Sequence, residues 1–170
     1  VISKLFIDPS RPTTLKQRYR CSGKTLLKVS HLHQNSISKN LQKKILNYIK
    51  SKIKKYDLVV FSDFNYGCLP QNLVSKSIEE CKKQSVIMVA DSQCSSQVGD
   101  ISRFKGMTLL TPTEQETRLS VRDFDSGLVV LAESLRKKAD SKFILMTLGK
   151  EGVLIQANNS ENNQKRKLST

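Results

Sequence analysis

Two short loops carry the residue types that bind phosphate and metal. The first is Thr147-Leu148-Gly149-Lys150-Glu151-Gly152, which follows the apolar run Phe143-Ile144-Leu145-Met146. Glycine lets backbone N–H groups approach phosphate oxygens with no side chain in the way. The Thr147 hydroxyl adds a donor, and Lys150 adds positive charge. The same pattern also makes an ordinary hairpin turn, in which glycine serves a positive φ. The second loop is Thr113-Glu114-Gln115-Glu116, directly after Leu109-Leu110-Thr111-Pro112. Thr113 with Glu116 three residues on is the pattern of a capping box, and acidic residues suit a helix N-terminus. Glu116 could also hold Mg2+ through water, because that ion takes hard oxygen ligands and keeps several waters. One residue can serve both purposes.

Other reactive side chains support less. His31 and His33 share a face of an extended segment, but no Cys or Asp at suitable spacing joins them. They read as surface or lid histidines. Asp63 and Asp91 each end an apolar run and could form a carboxylate pair at neighbouring strand ends. Neither is read as catalytic. Cys21, Cys68, Cys81 and Cys94 are scattered and contain no C-x-x-C pair. They read as reduced thiols of a cytoplasmic protein, not as a disulfide framework or zinc site.

The elements that must position these residues follow from periodicity. Residues 1–7 read as a strand. Residues 14–20 and 25–29 read as two strands joined around Ser22-Gly23-Lys24, a hairpin signal. Ser36 or Ser38 caps a long helix whose apolar stripe is Ile37, Leu41, Ile45, Ile49 and Ile53. Residues 58–61, 86–90, 107–110 and 143–147 are apolar runs of the kind found in strands buried on both faces. Helices are expected over 72–83, 113–119 and 127–138, a polar loop over 92–97 and a helical turn over 101–104. A last strand, 153–156, is expected to run antiparallel to 143–147. Strand alternating with helix is the rhythm of a mostly parallel sheet. Ligands of such sheets sit at the carboxyl ends of the strands. Those ends are 62–63, 91–92, 111–116 and 147–152. All are polar, so the candidate residues are expected on one rim.

Composition narrows the partners. A chain of 170 residues can bury a real core. No apolar run approaches the roughly 20 residues of a membrane helix. Residues 1–7, broken by Ser3 and Lys4, are too short for a signal peptide. A net charge of +14 calls for an anionic partner such as a nucleotide or sugar phosphate. Much of it lies in the lysines of 39–55, read as a solvated helix face, and in Lys165-Arg166-Lys167. Aromatics are 6% with no Trp, so stacking platforms for single-stranded nucleic acid are not evident. Neither nucleic acid nor a membrane is an expected partner. Residues 157–170 read as a polar, flexible tail.

Five segments occur in a telling order. They are Arg11-Pro12-Thr13-Thr14-Leu15-Lys16-Gln17-Arg18, Leu26-Leu27-Lys28-Val29, Val59-Val60-Phe61-Ser62-Asp63-Phe64, Gly106-Met107-Thr108-Leu109-Leu110-Thr111-Pro112 and Thr147-Leu148-Gly149. Over about residues 1–156 the chain resembles the kinase domain of ADP-heptose synthase-like proteins, a branch of the PfkB/ribokinase superfamily. The first segment and the Leu-Leu-Thr-Pro strand end are fairly specific to that branch. The Thr-Leu-Gly loop is common to the superfamily.

The resemblance implies an α/β fold, a ribokinase-like three-layer domain with a mostly parallel sheet. Residues 1–30 would form a small β lid, and 31–156 the α/β core. It implies ATP-dependent phosphorylation of a sugar or sugar phosphate, a heptose phosphate in ADP-heptose synthesis, with ATP and Mg2+ as cofactors. Thr147, Gly149 and Gly152 would line the nucleotide, and Glu116 would take the family's Mg2+-associated position. Arg11, Lys16 and Arg18 would lie on or near the lid beside the sugar, with Asp63 on the same rim. An anionic substrate suits their charge.

Several departures fall on that rim. Thr113 stands where the family usually has Asn. Asn65 and Tyr66 interrupt its Ser-Asp-Tyr-Gly-Lys-Gly loop, and Asp91-Ser92-Gln93 replaces its Asp-Pro-Lys. No residue matches the catalytic Asp of its Gly-Ala-Gly-Asp loop, so none is assigned as catalytic. The domain is expected to be incomplete at both ends and weak or inactive by itself. A different class of function is a non-catalytic α/β module that binds a phosphorylated ligand or a partner protein. A third is nucleic-acid binding through 39–55, which predicts steep salt dependence. Exposed edges of the lid sheet would favour a homodimer.

Overall fold

The computed structural model describes residues 3–92 and 99–157. The expected tail, from 158 onward, and most of the expected 92–97 loop lie outside the described residues. β1 (Leu15–Cys21) and β2 (Lys24–His31) pair antiparallel as a separate two-stranded sheet. Ser22 and Gly23 both take positive φ, 47° and 80°, which matches the twist of a tight hairpin. The strand expected over 1–7 does not form within its described part. Residues 3–8 pair with no strand. Phe6 instead packs edge-on against Tyr48 at 5.9 Å, which leaves Leu5 and Ile7 exposed. An extended apolar segment without a neighbouring strand has nothing to complete its backbone ladder.

α1 (Lys39–Lys52) starts at Ser38, whose hydroxyl accepts from the Leu41 N–H at 3.2 Å. Ile37 and Ile53 are buried at its ends, but no residue within the helix is fully buried. Lys39, Lys43, Lys44 and Lys50 stay exposed, and Lys50 pairs with Glu80 at 3.5 Å. The chain continues through β3 (Leu58–Asp63), α2 (Gln71–Lys83), β4 (Ile87–Ser92) and β5 (Leu109–Leu110). Then come α3 (Glu114–Val121), α4 (Leu128–Ala139), β6 (Phe143–Thr147) and β7 (Val153–Ala157).

β3 to β7 form a five-stranded sheet in sequence order. The first three pairings are parallel, and β6 pairs with β7 antiparallel. β5 begins at Leu109, two residues later than expected, and ends at Leu110 as expected. Its flanks still pair, with Thr108 N–H on Met88 O at 2.8 Å and Thr111 N–H on Ala90 O at 3.2 Å.

Strands added always in one direction by right-handed crossovers must place their helices on one face. The core follows that rule. Phe61, Met88, Ala90, Leu110, Ile144 and Met146 face Val74, Ile78 and Cys81 of α2 and Leu131, Ala132 and Leu135 of α4. Full burial of a Leu or Ile side chain contributes about 1.5–3 kcal/mol, so this one interface holds the sheet. Of the three layers expected, the described residues build two: the sheet and one helical layer.

Candidate functional site

The loop after β5 and the loop after β6 are joined by backbone bonds. Pro112 lies two residues past β5, and its carbonyl accepts the Thr147 N–H at 2.8 Å. Thr113 and Thr147 then form a parallel bridge. The two loops singled out from the sequence are therefore neighbours on one rim. Past Thr147 the chain makes a tight turn, Leu148 N–H to Gly152 O at 2.9 Å. Gly149 and Gly152 have φ of 62° and 98°. A Cβ at either would meet nothing within 4 Å. Glycine is thus demanded there by backbone conformation, and the space in front of the turn is open.

That space is a cleft of about 730 Å3, lined on one side by Thr147, Leu148, Gly149, Gly152 and Val153. On the other side are Thr113, Glu114, Gln115, Arg118 and Phe124. All three residues expected at a nucleotide, Thr147, Gly149 and Gly152, line it together. Glu116 stands one step behind. Its carboxylate accepts the Thr113 N–H at 2.8 Å, and its own N–H donates to the Thr113 hydroxyl oxygen at 3.2 Å. The capping box is complete, with Glu116 buried. No group of three or more His, Cys, Asp or Glu side chains converges among the described residues.

Phe124 and Arg118 escaped the sequence reading. Phe124 is 63% exposed at the cleft wall. Its loop is held from both sides. Arg118 donates to the Ser126 carbonyl at 3.2 Å and is paired with Glu114 at 2.8 Å. Ser126 N–H donates to Asp123 Oδ1 at 3.0 Å. Hydrogen bonds from the Ser126 side chain and backbone hold the Asp123 carboxyl below the usual carboxylate range. A lone aromatic in a polar loop was the available signal.

The residues expected at a sugar divide into two groups. Lys16 and Arg18 line a hollow of about 460 Å3 on the hairpin with Gln17, Lys28 and Ser30. Lys28 lies opposite Arg18, and Ser30 opposite Lys16, so the basic residues share one face. Lys28 was legible in the sequence but carried no spacing signal. Lys16 Nζ also lies 5.1 Å from the ring centroids of both Phe64 and Tyr66, which stack on each other. This contact ties the hairpin to the loop after β3.

Arg11 and Asp63 are already engaged. Arg11 donates to the carbonyls of Asn35 at 3.1 Å and Tyr66 at 2.8 Å, and pairs with Asp8 at 3.3 Å. Asp63, 4% exposed, accepts from Arg103 at 2.6 Å and from the Asn65 N–H at 3.0 Å. Both side chains shape the 62–68 loop. The pairing of Asp63 with Asp91 does not occur. Asp63 is level with Ser92, and Asp91 with Ser62. A one-residue offset turns the two carboxylates to opposite faces of the sheet. Asp91 instead accepts from the Thr111 hydroxyl at 3.1 Å. His31 shares a hydrogen bond with Gln17 at 3.3 Å.

The chain is 30% identical over 162 residues to the bifunctional protein HldE of Helicobacter hepaticus, covering 93% of this chain and 33% of that one. It is 29% identical over 157 residues to HldE of Aliarcobacter butzleri, covering 90% and 32%. The chain is a homologue of the HldE proteins. It spans about a third of the length of these curated relatives. No family model matches it.

Among solved structures, the HldE homologue superposes on phosphofructokinase-2 from Escherichia coli in complex with fructose-6-phosphate. The TM-score is 0.62 at 14% identity, over 86% of this chain and 48% of that one. Arabidopsis thaliana ribokinase complexed with ribose and ATP gives a TM-score of 0.53 at 13% identity, over 81% and 42%. The fold is ribokinase-like, α/β with a mostly parallel sheet, and the chain spans about half of it. No helix among the described residues is long and apolar enough to cross a membrane.

Proposed function

We propose that this chain forms the nucleotide-binding part of a cytoplasmic, ATP-dependent sugar kinase whose acceptor is a heptose phosphate. The observation that carries the reading is the single cleft shared by Thr113, Thr147, Gly149 and Gly152 at two paired strand ends. Open glycine turns admit phosphate oxygens. Phe124, Leu148 and Val153 supply apolar wall for a base beside them. The donor set suits Mg2+ held mainly by phosphates and water, with one carboxylate behind the rim, rather than a protein cage. Glu116 would hold that ion through water, and the bound ion would neutralise charge on the transferred phosphate. Lys16, Arg18 and Lys28 would take the acceptor's phosphate, and Arg11 and Asp63 would fix the loop beside it. No residue of the chain is assigned as the base. Self-association through the hairpin belongs to the same reading. Leu15, Tyr19 and Leu27, each about half exposed, line its apolar side.

Calorimetric titration with ATP, with and without Mg2+, tests the reading. Saturable binding is expected, tightened by Mg2+ and weakened about tenfold by Phe124→Ala. Absence of binding at millimolar ATP with Mg2+ would sink the kinase reading. Binding of inorganic phosphate alone at the hairpin would favour a non-catalytic module instead.

A further inference from the structure

A second hollow lies at the opposite end of the sheet from the cleft. It has a volume of about 390 Å3 and opens where β5 and β6 begin, beside Met107 and Lys142. There the Lys142 N–H donates to Met107 O at 3.0 Å. The length of β6, five residues and about 17 Å, separates the hollow from the glycine turn. Lys82 from the end of α2 and Arg136, Asp140 and Ser141 from the end of α4 complete its wall. A helix C-terminus ordinarily repels anions, because its last four carbonyls are unpaired. In α4 all four are occupied. Arg136 O accepts the Ser141 N–H at 3.1 Å, Lys137 O the Asp140 N–H at 3.2 Å and Ala139 O the Gly106 N–H at 2.9 Å. Lys138 O accepts from the Lys105 ammonium.

With the carbonyls satisfied, donors remain to spare. Ser141 is 3% exposed, and its hydroxyl has no hydrogen-bond partner among the described residues. A buried polar group left unpaired is costly, so it points to a partner from outside the chain. Lys82 and Lys142 enter none of the ion pairs formed among the described residues. Lys82 nevertheless folds inward across the backbone. A Cβ on Gly106 would lie 2.8 Å from its Nζ and 3.0 Å from its Cε. Arg136 is committed, since Nε and one terminal nitrogen each donate to Glu133 at 2.8 Å. The hollow therefore offers two ammoniums, one hydroxyl and a single carboxylate, Asp140.

We propose that this hollow binds hydrogen phosphate. The ion's two negative charges match the two ammoniums, and its oxygens accept from them and from the Ser141 hydroxyl. Its one O–H donates to Asp140. Sulfate has the same shape and charge but no proton, so the Asp140 carboxylate repels it.

The site stands apart from the nucleotide cleft and does not depend on the kinase reading. Inorganic phosphate and, separately, sulfate are titrated into the 170-residue chain while its backbone amide signals are followed by NMR. Phosphate should shift the signals of Gly106, Met107 and residues 140–142, and the shifts should saturate. Lys82→Gln and Lys142→Gln should each weaken that response about tenfold. Ser141→Ala should weaken it too, yet leave the phosphate-free chain at least as stable in urea, because no internal hydrogen bond is lost. Sulfate should bind at least about fivefold more weakly than phosphate, and Asp140→Asn should erase that difference. ATP titrations of these variants should match the parent chain, so loss of this site and loss of the cleft read out separately. Shifts confined to the cleft or the hairpin overturn the proposal. So does the absence of shifts at the hollow at tens of millimolar phosphate, or a response indifferent to both lysine substitutions. Equal binding of sulfate and phosphate by the parent chain overturns the assignment to hydrogen phosphate.

Discussion

Replacing Asp63 tests whether this carboxylate is a structural strut. Asp63 is 4% exposed and pairs with Arg103 at 2.6 Å, while the Arg103 side chain is 19% exposed. Removing one member of a buried pair costs about 3–5 kcal/mol, because the other charge is left uncompensated. Arg103 keeps some solvent and its bond to the Leu69 carbonyl at 2.9 Å, which favours the lower end. The Asn65 N–H loses its acceptor as well, at about 1 kcal/mol. Asp63→Ala should therefore cost about 3–4 kcal/mol. For a domain of this size that lowers Tm by about 10 °C. Urea denaturation and thermal melting measure both. Arg103→Met in the same chain removes the stranded charge, so the double variant should recover at least about 1.5 kcal/mol relative to additivity. A single variant that loses less than about 1 kcal/mol, or strictly additive losses, would refute the strut.

Gly67→Ala should be far worse than Gly149→Ala, although both glycines have positive φ. A Cβ on Gly67 would lie 2.2 Å from the Asn35 carbonyl oxygen, while one on Gly149 meets nothing within 4 Å. Gly149→Ala should cost about 1 kcal/mol from backbone strain alone, and Gly67→Ala should melt well below it. The Glu133 carboxyl is lowered from 4.5 to about 2, chiefly by its hydrogen bonds from Arg136. A depressed carboxyl contributes stability that is present above pH 4.5 and lost as pH falls through about 2. Its side chain is 28% exposed, so screening limits the effect to about 1–2 kcal/mol. The stability gap between the chain and Glu133→Gln should close over that range in acid titrations followed by circular dichroism. Leu135→Ala, in the fully buried core, should cost about 2–5 kcal/mol in the same denaturation assay.

The sequence by itself determined what short-range physics controls. Apolar runs located the strands, Thr113 marked a helix start, and of Ser36 and Ser38, the two caps the sequence offered, the structure uses Ser38. The capping box was readable because its two residues are three apart. So was the antiparallel return from β6 to β7, because one glycine turn makes it. Tertiary structure decided whatever depends on register, chain direction and distant partners. One residue of offset between β3 and β4 sent Asp63 and Asp91 to opposite faces. Arg11 finds its acceptors at Asn35 and Tyr66, 24 and 55 positions away, which no local pattern announces. Phe124 and Lys28 reach their hollows only when loops and hairpin are in place. The apolar runs implied strands buried on both faces. It took the one-directional strand order to show that these residues cover just one, since the side a crossover helix falls on depends on where the next strand is laid.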